Sequence, residues 1–330
     1  VGSKKLFTTA LKALLSIALL SWVFYKVGVG QIIGQLLKAD KLLFLSGIFL
    51  FALSNILGTL QWWLLLRLQG IRITPKAALY YYFVGLFFNN FLPTNIGGDV
   101  YKAYDLSKRV KKREGVIAAT IMDRLMGFVA LVALALLATV LAIGKLEQLR
   151  LLGLTLASLF ILLSIFLVFF NRRVARVGNR FFFRFLPSGL RGTLKEIYSS
   201  IYSFKGDSGF FFKFLGLSLI IQSIRILINY LIALSIGIRI DFLYFFLIIP
   251  LIALAIALPI SVAGIGVRES SGMILFQRVG VIPSQAASMQ LLTYIVTLLV
   301  GMIGGILFAL VEPKGMIAED IPQKAIREGG

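Results

Sequence analysis

Apolar residues are concentrated along the chain in long blocks. A helix needs roughly 20 residues to cross a hydrocarbon core of about 30 Å. Six blocks meet that length: Leu6 to Val27, Leu42 to Leu66, Val116 to Ile143, Leu151 to Phe170, Phe210 to Ile236 and Ala286 to Val311. Two more, Ala77 to Phe91 and Phe242 to Leu258, are shorter, and each runs into a proline and then a glycine-containing segment. The pattern predicts an all-α polytopic membrane protein, with six full spans and two broken segments that need a different geometry.

Basic residues set how the blocks thread the bilayer, because loops kept on the cytoplasmic side retain Lys and Arg. Arg67, Arg72 and Lys76 precede the first short block, and Lys102, Lys108, Arg109, Lys111, Lys112 and Arg113 follow it. Both its flanks are therefore expected to be cytoplasmic. Only 25 residues run from Ala77 to Tyr101, about half of what two full crossings would consume at about 1.5 Å per residue. The segment is expected to enter and return as a re-entrant hairpin with its tip near Asn89, Pro93, Gly97 and Gly98. Irregular backbone at that depth is tolerable only where protein or water surrounds it.

The segment 171–209 carries Arg172, Arg173, Arg176, Arg180, Arg184, Arg191, Lys195 and Lys205 and reads as a cytoplasmic basic loop. It either attracts anionic lipid or serves only as a topology signal. Counting spans from it puts the Gly237 to Asp241 turn outside, so the second short block re-enters from outside. The N-terminus, with Lys4, Lys5 and Lys12, and the C-terminal tail are expected inside, and Leu6 to Val27 reads as a first span rather than a cleaved signal. The expected location is a prokaryotic inner membrane.

Composition narrows the chemistry. The chain is 59% apolar and 15% charged, with 34 Lys and Arg against 14 Asp and Glu, a net charge of +20, and it has no Cys and no His. Disulfides, thiolate nucleophiles, histidine metal sites and imidazole bases are all excluded. A few carboxylates, surplus cations and amides remain, a set suited to recognising charged lipid. Neither a cofactor nor a metal is expected, and nucleic acid is not an expected partner.

The two hairpin tips resemble each other. Leu92, Pro93, Gly98 and Lys102 align without gaps on Leu258, Pro259, Gly264 and Arg268 at a constant offset of 166. Leu-Pro followed by Gly is common in membrane helices, but the same offset also superposes the flanking spans. The chain thus reads as one transmembrane domain, 1–330, holding two copies of a span, hairpin, span unit, 40–144 and 206–311. The unpaired helix between them turns the second copy upside down. Inverted repeats with broken helices are the architecture of many secondary transporters, with substrate held near the midplane.

Candidate binding residues cluster at the tips and on two spans. The first tip, Leu92 to Tyr104, holds Asn95, Asp99, Lys102 and Tyr104 beside Pro93, Gly97 and Gly98. Proline stops the incoming helix, the glycine pair permits reversal, and a carboxylate near the next N-terminus favours the positive end of its dipole. Lys102 beside free amides makes a site suited to phosphate; Asp99 is equally readable as a simple cap. The second tip, Pro259 to Glu269, repeats the logic with Gly264, Gly266, Arg268 and Glu269. Arg can grip phosphate bidentately. Arg268 and Glu269 are adjacent and point about 100° apart, so separate partners are expected.

In Phe210 to Ile236, the spacing of Ser218, Gln222, Arg225 and Asn229 places all four on one helix face. An unpaired mid-helix Arg costs roughly 2.5 to 3.5 kcal/mol on insertion scales, so Arg225 needs a partner or a water-filled cavity. Its counterpart at the 166 offset is Thr59. Asp123 and Arg124 interrupt Val116 to Ile143, and Asp123 is deep enough to require Lys102, Arg225 or Arg268, as a structural ion pair or as a substrate contact. Gly301, Gly304 and Gly305 read as helix packing.

The run Leu92-Pro93-Thr94-Asn95-Ile96-Gly97-Gly98-Asp99-Val100-Tyr101-Lys102-Ala103-Tyr104, the Asp123-Arg124 pair and Pro259 to Glu269 together resemble the membrane domain of the lysylphosphatidylglycerol synthase family, over nearly the whole chain. In full-length members, the multiple peptide resistance factors, this domain is regarded as a flippase for aminoacylated phosphatidylglycerol, and a soluble C-terminal domain makes that lipid. Here about 20 residues follow the last span, so the likeness is to a stand-alone member, and neither synthase nor other enzyme activity is expected. Related stand-alone members have been labelled dolichol-phosphate sugar synthases, which leaves the cargo open.

Taken together, these features read as a lipid translocator. A phosphate headgroup, anionic or aminoacylated, enters a polar cavity between the hairpins while its tails stay in the bilayer. Lys102, Arg225 and Arg268 would neutralise phosphate, and Asp99, Asp123 and Glu269 would balance those cations or accept a cationic headgroup. The alternatives are an integral-membrane glycosyl or lipid transferase, against which no Asp-x-Asp pair occurs, and a lipid-binding subunit without transport. Assembly as a homo-oligomer stays open.

Overall fold

The computed structural model describes residues 37–92, 96–141, 208–257 and 263–311, together with positions 34, 153 and 261. The expected spans Leu6 to Val27 and Leu151 to Phe170, nearly all of the basic segment 171–209, both chain termini, and Pro93, Asn95 and Pro259 lie outside these residues. Eight helices are described: α1 Lys41–Leu68, α2 Pro75–Phe91, α3 Gly97–Ser107, α4 Arg113–Leu141, α5 Ser208–Ser235, α6 Leu243–Ala257, α7 Val267–Gln277 and α8 Pro283–Leu310. Their order is long, short, short, long, twice over. Four of them, α1, α4, α5 and α8, are long and apolar enough to cross a membrane. The bounds fall within a few residues of the hydropathy blocks. The first short block ends where expected, α2 at Phe91, and α6 is described as far as Ala257.

Local chemistry explains the breaks. Gly70 and Gly237 adopt φ of +74° and +80°, a conformation that only glycine reaches without strain. Each closes the preceding helix with the same pair of bonds. Gly70 and Ile71 donate to Arg67 and Leu66, while Gly237 and Ile238 donate to Leu234 and Ala233, all at 2.9–3.0 Å. The next helix is then capped by a side-chain oxygen, Thr74 Oγ1 accepting from Ala77 at 3.2 Å and Asp241 Oδ1 accepting from Leu243 at 2.9 Å. The segments Gly70-Ile71-Arg72-Ile73-Thr74 and Gly237-Ile238-Arg239-Ile240-Asp241 are thus the same joint, 167 residues apart.

In each half the short helices fold back on each other, α2 on α3 and α6 on α7. Exchanging α1 with α5, α2 with α6, α3 with α7 and α4 with α8 maps each of the main helix-packing pairs onto another: α2 rests on α8 as α6 rests on α4, and α1 packs on α5 directly. Helices α1 and α5 run antiparallel. The Asp40 amide at the start of α1 donates to Ser235 O at the end of α5 at 2.7 Å, while Leu65 and Leu66 near the end of α1 share a core with Phe211 and Phe214 near the start of α5. Two apolar cores result. One surrounds α2 and α3, built on Trp62, Tyr81, Leu106 and Met122; the other surrounds α6 and α7, built on Ile232, Phe245, Phe276 and Val296. Glycines let α2 sink into α8. A Cβ at Gly304 would stand 1.9 Å from Phe83 O, and one at Gly301 would stand 2.5 Å from Asn90 Nδ2, in keeping with their reading as packing residues.

Candidate functional site

Backbone contact at the first tip creates the site. A Cβ at Gly98 would stand 1.7 Å from Gly85 O, so only glycine lets α3 start against α2. Gly98 N also donates to Asn89 Oδ1 at 2.8 Å. This contact carries Asp99 and Lys102 into the interior, where both are buried. Lys102 Nζ lies 3.0 Å from Asp99 Oδ1 and 3.8 Å from Asp123 Oδ2, and over the rings of Tyr82 and Trp62 at 4.4 and 4.9 Å. Arg124 Nε donates to Asp99 Oδ2 at 2.6 Å, and Arg124 Nη2 pairs with the same oxygen. Asp123 sits ten residues into α4, about 15 Å along it and close to the middle of a core of about 30 Å.

The four charges sum to zero, but they are shared unevenly. Asp99 is held by two cations, whereas Asp123 has part of one plus a neutral amide, since Gln61 Nε2 donates to its Oδ1 at 2.9 Å. Gln61 Oε1 in turn accepts from Ser218 Oγ at 2.7 Å, so a polar chain runs from α4 through α1 to α5. Trp62 is fixed by its indole N–H, which donates to Thr120 Oγ1 at 3.1 Å. The Arg124 side chain stays 42% exposed, against 3% for Lys102.

The α5 face forms as the spacing predicted. Ser218, Gln222 and Asn229 are buried. Gln222 Nε2 lies 3.0 Å from where a Gly127 Cβ would stand, and Asn229 Oδ1 accepts from Thr293 Oγ1 at 3.4 Å. Arg225 Nε is buried without a hydrogen-bond partner. Tyr82 lies within reach of the charges of Asp123, Lys102, Arg225 and Arg124, so Arg225 belongs to the same neighbourhood as the cluster.

At the second tip Ala263, Gly264 and Gly266 turn through φ of 50°, 76° and 81°, and Glu269 Oε2 accepts the Gly266 N–H at 2.7 Å. Arg268 stacks on Tyr294 with its guanidinium carbon 4.9 Å from the ring centre, and it makes no ion pair among the described residues. It and Glu269 do have separate partners. Ser261 Oγ and Gln290 Nε2 are buried without hydrogen-bond partners.

Several sequence expectations need correction. The ungapped 166 offset fails on both sides of the tip. Glu269 is the third residue of α7, as Asp99 is of α3, which makes the offset 170 there. Lys102 therefore matches Gly272 rather than Arg268, and Asp123 and Arg124 match Thr293 and Tyr294. Before the tip the offset is 167, so Arg225 matches Gly58 rather than Thr59. Among the described residues, the first half alone carries the charge cluster. Lys102 is engaged by carboxylates and rings instead of standing open to phosphate. Arg268 shares no partner with Lys102. Tyr104 points outward, its ring under Lys108 Nζ at 4.1 Å, away from the cluster. Gln61, Trp62, Tyr82 and Tyr294 are additions; a glutamine within an apolar span was the one available signal.

The sequence profile described as the lysylphosphatidylglycerol synthase TM region matches residues 9–305. The chain is 26% identical over 328 residues to the UPF0104 membrane protein PH1989 of Pyrococcus horikoshii, covering 92% of this chain and 96% of that protein. No solved structure matches.

Proposed function

Because the chain belongs to the lysylphosphatidylglycerol synthase TM-region family, a family of membrane proteins, we propose that it is a translocator of phosphate-headgroup lipids. The cargo is an anionic or aminoacylated phospholipid of a prokaryotic inner membrane. The two helix sets act as an inverted repeat, each hairpin dipping into the bilayer from its own side. The antiparallel packing of α1 on α5 and the exchange symmetry of the helix contacts support that orientation.

The observation that carries the reading is a mid-membrane cation with unused capacity beside a polar, balanced cluster. Arg225 Nε is buried and unpartnered, at a depth where an unpaired Arg is costly, and Arg124 is half open. Two guanidinium groups near Tyr82 suit a phosphodiester, which accepts paired N–H donors. Acyl tails remain in the hydrocarbon while the headgroup crosses between the repeats, and rocking of one repeat against the other exchanges leaflet access.

The test uses purified protein in liposomes carrying fluorescent phosphatidylglycerol, with inner-leaflet label exposed to a membrane-impermeant quencher. Wild-type protein should expose it faster than Arg225→Ala protein does. Equal rates in protein-free and protein-loaded vesicles, across several headgroups, would remove the reading. Turnover of a sugar donor would support a transferase instead, and binding without exchange would support a non-transporting subunit.

A further inference from the structure

The structure separates two buried acidic residues, Asp123 and Glu269, by what holds each carboxylate. Glu269 is committed to the backbone, its Oε2 accepting the Gly266 N–H at 2.7 Å at the start of α7. Asp123 has no such anchor. Its Oδ1 accepts from Gln61, and its Oδ2 faces Lys102 at 3.8 Å. The same ammonium is 3.0 Å from Asp99, which also holds Arg124. Attraction falls with the inverse of distance, so Lys102 acts on Asp99 about a quarter more strongly than on Asp123.

A bound phosphate would tip this balance. Arg124 is the accessible cation of the cluster, and a phosphodiester competes with Asp99 for its N–H groups. Asp99 is then left with Lys102 alone, Lys102 closes onto it, and Asp123 loses its cation. Among the described residues no other cation pairs with it. Helix α3 brings Lys102 and Asp99, α2 brings Tyr82, α4 itself brings Arg124, and α5 brings Arg225 across Tyr82. Helix α1 brings the neutral Gln61, its own charges Lys41 and Arg67 lying near its ends. Helix α6 carries no charged side chain and shares an apolar core with Leu131 and Leu134 of α4.

We propose that Asp123 is a coupling site for a proton, taken up from water onto Oδ2 as a lipid phosphate engages Arg124. The inference rests on the translocator reading. One O–H bond forms, and the Gln61 bond to Oδ1 is kept, so the link through Gln61 to Ser218 persists while Lys102 changes partner. Proton and headgroup strengthen each other's binding by the same factor.

The experiment is calorimetric titration of the full-length protein in detergent micelles with short-chain phosphatidylglycerol, in two buffers of different ionisation enthalpy. Inorganic phosphate is run as a parallel arm. Binding should be accompanied by net proton uptake, and lipid affinity should rise by up to about tenfold for each unit of falling pH. Uptake should vanish in Asp123→Asn and persist in Glu269→Gln. Lipid binding with no proton exchange, or uptake that survives Asp123→Asn, would overturn the proton site and leave the translocator reading standing. No binding of the lipid would overturn both. Uptake with inorganic phosphate alone would keep the proton site but assign it to free phosphate. If Asp123→Asn does not fold, infrared difference spectra decide: lipid should raise a protonated-carboxyl stretch in wild-type protein that shifts in Asp123→Glu, and its absence would overturn the proposal.

Discussion

Replacing Lys102 with Met keeps the stem and removes the one cation shared by two buried carboxylates. The ammonium lies 3.0 Å from Asp99 and 3.8 Å from Asp123, and its side chain is 3% exposed, so neither water nor salt screens the loss. Breaking a buried pair by removing one partner costs about 3–5 kcal/mol, at least about a hundredfold in the ratio of folded to unfolded protein. The second substitution identifies the source of that cost. Adding Asp123→Asn removes the carboxylate left bare, while Asp99 keeps Arg124, so about half the loss or more should return. Adding Asp99→Asn instead leaves Asp123 bare and strips Arg124 of its partner, so nothing should return. Arg109→Met is the control, because its pair with Asp105 spans 3.6 Å at 35% and 19% exposure and should cost less than about 1 kcal/mol. The assay is the folded fraction in mixed micelles titrated with SDS. A loss below about 1 kcal/mol for Lys102→Met, or equal stability of the two double variants, would refute the reasoning.

Gly304→Ala should destabilise by about 1–3 kcal/mol, because its Cβ would meet the Phe83 carbonyl oxygen. Gly216→Ala, with nothing within 4 Å, should be neutral or stabilise by up to about 1 kcal/mol; melting temperatures in detergent distinguish the two. Arg225→Met should stabilise the protein by up to about 3 kcal/mol, because Arg225 Nε is buried without a hydrogen-bond partner, while slowing lipid exchange. SDS titration and the quencher assay together measure both effects, and a variant that loses stability would mean that Arg225 has a partner.

Most of the helical frame was legible because long apolar blocks, prolines and glycines mark spans and breaks directly. The face carrying Ser218, Gln222, Arg225 and Asn229 was legible from spacing alone, and the need of Asp123 for a cation from its depth. The register of the second tip was not. Leu-Pro and Gly matched at a constant offset, yet three left-handed residues, Ala263, Gly264 and Gly266, lengthen that turn and move Glu269 into the position of Asp99. Nor could spacing show that Lys102 is shared by carboxylates on two helices. That fact depends on how closely α3 approaches α2 through Gly85 and Gly98, a distance that sequence periodicity does not encode. Trp62 and Tyr82 were hidden among aromatic and apolar neighbours, and the joint at Gly70-Ile71-Arg72 was the stronger sign of repetition.

The proposed opposed orientation of the two hairpins is tested most directly by labelling. The chain has no cysteine, so single cysteines report cleanly at Lys108 and Arg278, the exposed residues that close α3 and α7. In right-side-out membrane vesicles a membrane-impermeant maleimide should label Arg278→Cys and spare Lys108→Cys. In inside-out vesicles the result should reverse. Labelling of both positions from the same side would contradict the inverted arrangement, and with it the path proposed for the lipid headgroup.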